Sequence, residues 1–296
     1  MNLKNIIVIT RAWSLTITFI SVTIANILVL REGGRPSLFL YLLTLVSAFS
    51  LHAGANTLND YFDTKNRIDS PDAPTAHYRP HPILALGLTP QKLLTLSLFL
   101  LGAAFSVGII LAIFRTAWLW PIIFFGFCTA VFYTGRPINL KYIALGEPAV
   151  FLAFGPLMIE GSYAIQRQAL SLNALFISLP IGLNVAAILL ANNLRDADFD
   201  AKSGIRTLST IMGQRKAFIL YTALSVLSYL FILAYFFCGI VKIPSLLVFL
   251  AVPKTIELIK DFSKKVPVDA DARTSKAIFL YGSLFIFGLF FEKFIK

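Results

Sequence analysis

The sequence predicts an all-α fold, a polytopic membrane bundle of nine transmembrane helices organised as two related four-helix halves plus one helix. Three observations carry that expectation. Of 296 residues, 57% are hydrophobic and only 14% charged, where soluble domains carry roughly a quarter charged residues. Apolar runs recur at lengths near the ~20 residues a helix needs to cross the hydrocarbon core. Two polar clusters of similar spelling, Asn59-Asp60-Tyr61-Phe62-Asp63 and Asn192-Asn193-Leu194-Arg195-Asp196, follow the second and sixth runs, 133 positions apart from Asn59 to Asn192.

Taken in order, the apolar runs place helices over about 12–30, 38–58, 93–114, 117–135, 148–166, 170–193, 217–238, 243–259 and 277–294. Met1 to Ile9 has no small-residue cleavage site after a short apolar core, so the first helix reads as a permanent anchor. The loops Arg31 to Ser37, Arg115-Thr116 and Gln166 to Ala169 on one face are short, whereas Asn59 to Lys92 and Leu194 to Lys216 on the other are long and polar. A third segment on the polar face, Tyr133 to Tyr142, holds Gly135 and Pro137, which make it a turn. The matching positions of the two acidic clusters make helices one to four and five to eight related halves of one domain over 1–296, and sites often lie between such repeats.

With nine crossings, 19 of the 26 Lys and Arg residues fall on the N-terminal face. The positive-inside rule makes that face cytoplasmic, in a multi-pass protein of the cell membrane. The net charge of +11 therefore reads as orientation and attraction to lipid headgroups, and no nucleic-acid partner is expected. Cys128 and Cys238 both lie in apolar runs, offer no disulfide framework or metal spacing, and read as buried packing residues.

The chemistry lies in the two clusters. Each sets Asn at i and Asp at i+4, on one helical face, and in the second Asp200 continues the stripe. Carboxylates gathered where membrane helices end are costly and mark an ion or substrate site. They would repel one another without a cation. Hard oxygen ligands suit Mg²⁺, which keeps positions open for phosphate oxygens. A diphosphate held between two such faces becomes a good leaving group, and an allylic chain that loses it leaves a carbocation that aromatic faces stabilise. Capping or salt bridges account for Asp72 or Asp198 as readily, and also for Asp69. His77 and His81 are four apart, but Pro80 and Pro82 break a helix there, so they are not read as a zinc pair.

The spellings Asn59-Asp60-Tyr61-Phe62-Asp63-x5-Asp69 and Asn192-Asn193-Leu194-Arg195-Asp196-x3-Asp200, followed by Gly204-x-Arg206-Thr207-Leu208, resemble the two signatures of the UbiA superfamily of intramembrane prenyltransferases. Within it the chain looks most like the 1,4-dihydroxy-2-naphthoate prenyltransferases (MenA type) of menaquinone biosynthesis. Tyr133-Thr134-Gly135-Arg136-Pro137, Leu145-Gly146-Glu147, Phe154 to Met158 and Gly161-Ser162-Tyr163 fit that likeness. The resemblance covers essentially the whole chain. It implies that Asn59, Asp63, Asp69, Asn192, Asp196 and Asp200 hold Mg²⁺ on a polyprenyl diphosphate, with Asp60 assisting. Arg79, Lys141, Arg195, Arg136 and Tyr133 would bind substrate, and Asp63, Asp196 and Asp60 would be the catalytic carboxylates. The ring of an aromatic acceptor would attack the allylic C1, and a naphthoate would also lose carbon dioxide. The chain departs from the pattern at Arg67, where many relatives carry Asp and the MenA type carries Gly. That charge would turn toward the diphosphate. Thr75 to Pro82 resembles an Arg-Pro segment found elsewhere in the superfamily.

Two other readings stand beside this one. The same reaction could serve 4-hydroxybenzoate, homogentisate, a tetrapyrrole or an archaeal glycerol lipid. A cation-coupled transporter would also have repeated helical halves with carboxylates at mid-membrane. The acidic clusters sit at helix ends instead, and Asn26, His52, Glu160 and Asn184 read as packing residues or entrance polarity.

Overall fold

The structure, a computed structural model, describes residues 3–295; Met1, Asn2 and Lys296, the ends of the expected single domain, lie outside the described residues. The described residues form helices joined by turns and contain no strand, only an isolated bridge between Ile143 and Arg206. The elements are α1 (Leu3–Ile9), α2 (Leu15–Arg31), α3 (Leu38–Lys65), α4 (Pro90–Phe114), α5 (Leu119–Phe132), α6 (Gly146–Leu152), α7 (Met158–Arg167), α8 (Leu172–Lys202), α9 (Leu208–Met212), α10 (Gln214–Phe237), α11 (Val252–Lys264) and α12 (Ala270–Glu292). A 3-10 turn, Ala12–Ser14, leads into α2, and another, Ile243–Ala251, leads into α11. Seven of these helical stretches are long and apolar enough to cross a bilayer; Leu119–Phe132 is a shorter apolar helix.

The starts follow local chemistry. The hydroxyls of Ser37, Thr89, Ser171 and Thr207 accept from backbone N–H groups at the starts of α3, α4, α8 and α9, taking up otherwise orphaned donors. The ends correct the expectation. The second helix continues past residue 58 to Lys65, and the sixth past 193 to Lys202. Asn59 to Asp63 and Asn192 to Asp200 are therefore helical, and Asp69 lies beyond the end of α3. Apolarity stops where lipid stops, but the i→i+4 ladder continues into the polar layer wherever side chains find partners there. For the same reason α12 begins at Ala270, ahead of its apolar run, and carries Asp271.

The core lies between α2, α7, α8, α10 and α12, around Ile20, Ile24, Leu28, Ile159, Ile177, Tyr281 and Phe285. Two close crossings set its shape. A Cβ at Gly282 on α12 would come within 2.5 Å of the Ile20 side chain on α2. A Cβ at Gly155 would meet Ser178 O at 2.9 Å and Gly182 Cα at 3.0 Å on α8. Gly155 lies in a π-helical turn, Ala153–Leu157, that joins α6 to α7 around Pro156. The proline has no N–H to give, the ladder widens, and Ser21 Oγ donates to the carbonyl of Phe154 at 2.8 Å. Large apolar side chains such as Phe39, Phe99, Phe114 and Phe237 are exposed on the outside, as lipid-facing residues are in a bundle that crosses a membrane. Cys238 belongs with them: it is exposed at the end of α10 and Cys128 is half-buried, so neither is the buried packing residue expected. Cys238 caps the C-terminal end of α10, where it is exposed.

Candidate active site

The C-terminal ends of α3 and α8 converge on one cavity of about 250 Å³. Asn59, Asp63, Asp69, Arg79, Tyr133, Lys141, Asn192, Asp196 and Asp200 all line it. Residues 133 positions apart in sequence thus line one cavity. Asp60, Arg136 and Arg195 do not line it, although Asp60 and Arg195 touch residues that do. Arg136 is exposed.

On α3, Asn59 Nδ2 donates to Asp63 Oδ2 at 2.8 Å, a bond made possible by the i,i+4 spacing. The same oxygen accepts from Lys141 Nζ at 2.7 Å, and Oδ1 accepts from the Tyr142 hydroxyl. Both donors come from the 3-10 turn Leu140–Tyr142, which Asn139 opens in a left-handed conformation at φ 55°. Burial alone would lower the pKa of Lys141, but Asp63, Tyr142, Asp200 and Tyr133 together outweigh it and hold the ammonium well above its ordinary value. Burial, then Asp63, pushes the Tyr142 phenol up. Both groups remain protonated donors at neutral pH.

Asp60 points elsewhere on the helix. Arg79 grips it with two bonds, Nη1 to Oδ2 at 2.9 Å and Nη2 to Oδ1 at 2.8 Å, and Arg11 also pairs with Oδ1. With two guanidiniums on it, Asp60 has little left to offer a cation, and it anchors Arg79 and Arg11. Beside it, Asp69 and His81 bring ligand atoms within 4.8 Å of one another and of Asp60. His81 Nδ1 lies 3.2 and 3.3 Å from the N–H groups of Ile83 and Leu84, so it accepts, and the ring proton belongs on Nε2, aimed at Asp69 Oδ2 at 2.9 Å. The cluster is satisfied by its own donors. His77, exposed in its own 3-10 turn, takes no part in it.

On α8 the arrangement differs. Arg195 forks onto Asp196, Nε to Oδ1 at 2.8 Å and Nη2 to Oδ2 at 2.7 Å, and bonds Asn192 Oδ1 at 2.7 Å. It also reaches Asp271 Oδ1 on α12 at 2.7 Å and Thr75 Oγ1 at 2.6 Å. Its guanidinium lies 5.2 Å over the Tyr78 ring, and the Tyr78 hydroxyl donates to Asp271 Oδ2 at 2.7 Å. Burial, then Asp271, raises the Tyr78 pKa and keeps that proton in place. Arg195 thus ties α8, α12 and the loop after α3 together beneath the site. Asp200, 5% exposed, has no hydrogen-bond donor among the described residues.

Sequence reasoning missed Arg11, Tyr78, Tyr142 and Asp271. Tyr142 and Tyr78 border motifs that were read, whereas Arg11 and Asp271 lie near the two chain ends and had no spacing to single them out. Arg67, expected to turn toward the diphosphate, is exposed and does not line the cavity. It closes α3 at φ 60°, a left-handed conformation that turns the chain and brings Asp69 inward.

The donor set suits a hard cation. Asn59, Asp63, Asn192, Asp196 and Asp200 offer oxygens around one cavity, and Asp200 is a buried carboxylate without a protein donor. Such a charge requires a counter-ion, and Mg²⁺ is the ion that oxygen ligands of this kind take. From the cavity, an apolar groove of about 130 Å³ continues between α3, α4, α5 and α7, sharing Ala48, Leu51, Gly126, Ala153 and Met158 with it.

Known proteins resemble this chain along its length. "UbiA prenyltransferase domain-containing protein 1" of Dictyostelium discoideum is 33% identical over 97% of this chain and 88% of its own. The "1,4-dihydroxy-2-naphthoate octaprenyltransferase" of Bacillus subtilis (strain 168) is 28% identical over 97% of this chain and 92% of its own. Among solved structures, a UbiA homolog from Archaeoglobus fulgidus bound to GPP and Mg²⁺ has the same fold, with a TM-score of 0.71 at 15% identity over 98% of this chain and all of that one. The sequence profile of the UbiA prenyltransferase family matches residues 18–284, and the chain belongs to that family.

Proposed function

We propose that this prenyltransferase moves a polyprenyl chain from an allylic diphosphate to an aromatic acceptor, 1,4-dihydroxy-2-naphthoate with loss of carbon dioxide, in menaquinone biosynthesis. The observation that carries the reading is the pairing of two Asn-x-x-x-Asp faces across one cavity that opens into an apolar groove. The acceptor rests on the likeness to the Bacillus subtilis enzyme over nearly the whole of both chains.

Asn59, Asp63, Asn192, Asp196 and Asp200, with Asp69 at the rim, would hold Mg²⁺. Bound there, the ion would neutralise charge growing on the departing diphosphate. Lys141 and Tyr142 supply protonated donors beside it, Arg79 and Tyr133 complete the polar wall, and the prenyl tail lies along the groove. Arg195 sets the direction of Asp196, Asp60 that of Arg79, and the exposed Arg136 adds field only. As the C1–O bond breaks, its electron pair leaves with the diphosphate, and a ring carbon supplies the pair for the new C–C bond. The bond from that carbon to its carboxylate then breaks, its pair restores the aromatic ring, and carbon dioxide leaves. Preorganised donors at the leaving oxygen are where most of the rate originates.

The chain would be a single domain of two related halves with nine crossings, counting Leu119–Phe132 and the stretch from Ile243 to Lys264. The basic face, and with it the site, would be cytoplasmic in the cell membrane. Purified protein incubated with Mg²⁺, a labelled polyprenyl diphosphate and a panel of acceptors tests the reading. Labelled product with the naphthoate, lost on adding EDTA, is expected. Product with a glycerol lipid and none with any ring would overturn the acceptor.

A further inference from the structure

We infer that the membrane-side wall of the cavity is a subsite for a hydroxylated aromatic acid, built by Trp13, Asn56, Phe154 and Arg11 and held in place by Ser14, Thr18 and His52. This inference rests on the proposed function and gives the acceptor its place.

The α3 face that ends at Asp63 begins two turns and more below it: His52, Asn56, Asn59 and Asp63 all line the cavity. The diphosphate reading uses the last two, and the tail belongs to the apolar groove. His52 and Asn56 remain, polar residues inside a membrane helix, where such groups are costly and mark function. They are not scattered packing residues but members of one directed chain of hydrogen bonds.

Ser14 Oγ spends its single proton on Arg11 O at 2.8 Å. It must therefore accept from His52 Nε2 at 3.3 Å and from Asn56 Nδ2 at 3.1 Å. With the ring proton on Nε2, His52 Nδ1 accepts from Thr18 Oγ1 at 2.9 Å. Asn56 Nδ2 also donates to Thr10 O at 3.1 Å, and a carbonyl can only accept, so the orientation of the amide is settled. Every donor in the chain is committed.

Two polar atoms are left over. Asn56 Oδ1 has no donor among the described residues, and Arg11 Nε–H is buried without an acceptor. Arg11 stands in a left-handed conformation at φ 53°, ψ 50°, at the break between α1 and α2, which aims it at this wall. One free acceptor and one free cationic donor suit a hydroxyl that donates and a carboxylate that accepts on one aromatic ring. Trp13 and Phe154 supply the apolar faces, and the His52 ring meets Phe154 edge-on at 4.7 Å. The π-turn at Pro156 has a purpose in this reading, since it is what sets Phe154 into the cavity.

The full chain, purified, tests this in two ways. With Mg²⁺ and labelled polyprenyl diphosphate, Asn56→Leu should raise the KM for 1,4-dihydroxy-2-naphthoate about tenfold, the loss of one buried hydrogen bond, and leave the KM for the diphosphate unchanged. His52→Gln should move the same constant in the same direction by less. An unchanged acceptor KM in Asn56→Leu, or an equal rise in the diphosphate KM, overturns the subsite. Independently, the acceptor alone, without Mg²⁺, should quench tryptophan fluorescence, and Trp13→Phe should remove most of the quench. Trp118 and Trp120 lie exposed at the start of α5, at the far end of α4 from the site loops. A quench undiminished in Trp13→Phe overturns the subsite even if Asn56→Leu fails to fold. Wild-type protein that fails to bind labelled polyprenyl diphosphate with Mg²⁺ sinks the functional reading and the subsite together. Binding that persists while the Asn56 and Trp13 results fail removes the subsite alone.

Discussion

The two acidic motifs are close in spelling and different in wiring. On α3 the asparagine gives its proton to the aspartate, and the positive charge arrives from elsewhere, Lys141 on Asp63 and Arg79 with Arg11 on Asp60. On α8 the asparagine accepts instead, from an arginine the motif itself contains, and that arginine reaches outward to Asp271 and Thr75. A repeat in sequence therefore does not impose a repeat in electrostatics. The first motif is completed by residues from segments outside its helix, and the second is built into the frame where α8 and α12 meet.

The comparison breaks most directly if the two metal-facing aspartates are unequal. Asp63→Ala and Asp196→Ala should each cut prenyl transfer by about 10³-fold, as when a preorganised charge-stabilising group is lost, with the protein still in the membrane fraction; turnover near wild type in either would remove that residue from the site. Arg195→Ala and Asp60→Asn sharpen the difference in wiring. Arg195→Ala leaves the half-buried Asp196 without its donor and Asp271 with the Tyr78 hydroxyl alone, a cost of about 1–3 kcal/mol, so the melting temperature in detergent should fall. Asp60→Asn strips the charge partner from Arg79 and Arg11 and should also lower the melting temperature; unchanged stability with lost Mg²⁺ affinity would make it a ligand after all.

Lys141→Met should be milder for the fold, because a bound cation can replace the ammonium at Asp63. Turnover should fall by about 10²-fold, and Mg²⁺ should raise the melting temperature of the variant more than that of the wild type. Equal Mg²⁺ stabilisation in both would show that Lys141 does not share Asp63 with the ion. Arg136→Ala should have the smallest effect, below about tenfold in kcat/KM, because exposed charge is screened; complete loss would put Arg136 on the substrate.

Much of this could be read from residue order. Apolar length marked the long helices, and the i,i+4 spacing put Asn59 with Asp63 and Asn192 with Asp196, because both are properties of a helix and its immediate solvent. Nine of the twelve expected site residues line the cavity: helical spacing groups Asn59 with Asp63 and Asn192 with Asp196 and Asp200, and the family resemblance supplied Asp69, Arg79, Tyr133 and Lys141. Residue order could not say where polar helices stop, so the expected helix ends at 58 and 193 fall short of Lys65 and Lys202. It also could not assign partners, because an ion pair between Asp60 and Arg79, or between Arg195 and Asp271, depends on how elements pack and not on their spelling. The sequence by itself determined a greasy helical bundle with two acidic helix ends, since hydrophobicity and helical period are local. Only the tertiary structure decided that these ends share a cavity, which carboxylates keep an open side, and that His52 and Asn56 belong to one directed network. Those facts are set by distances between residues far apart in the chain.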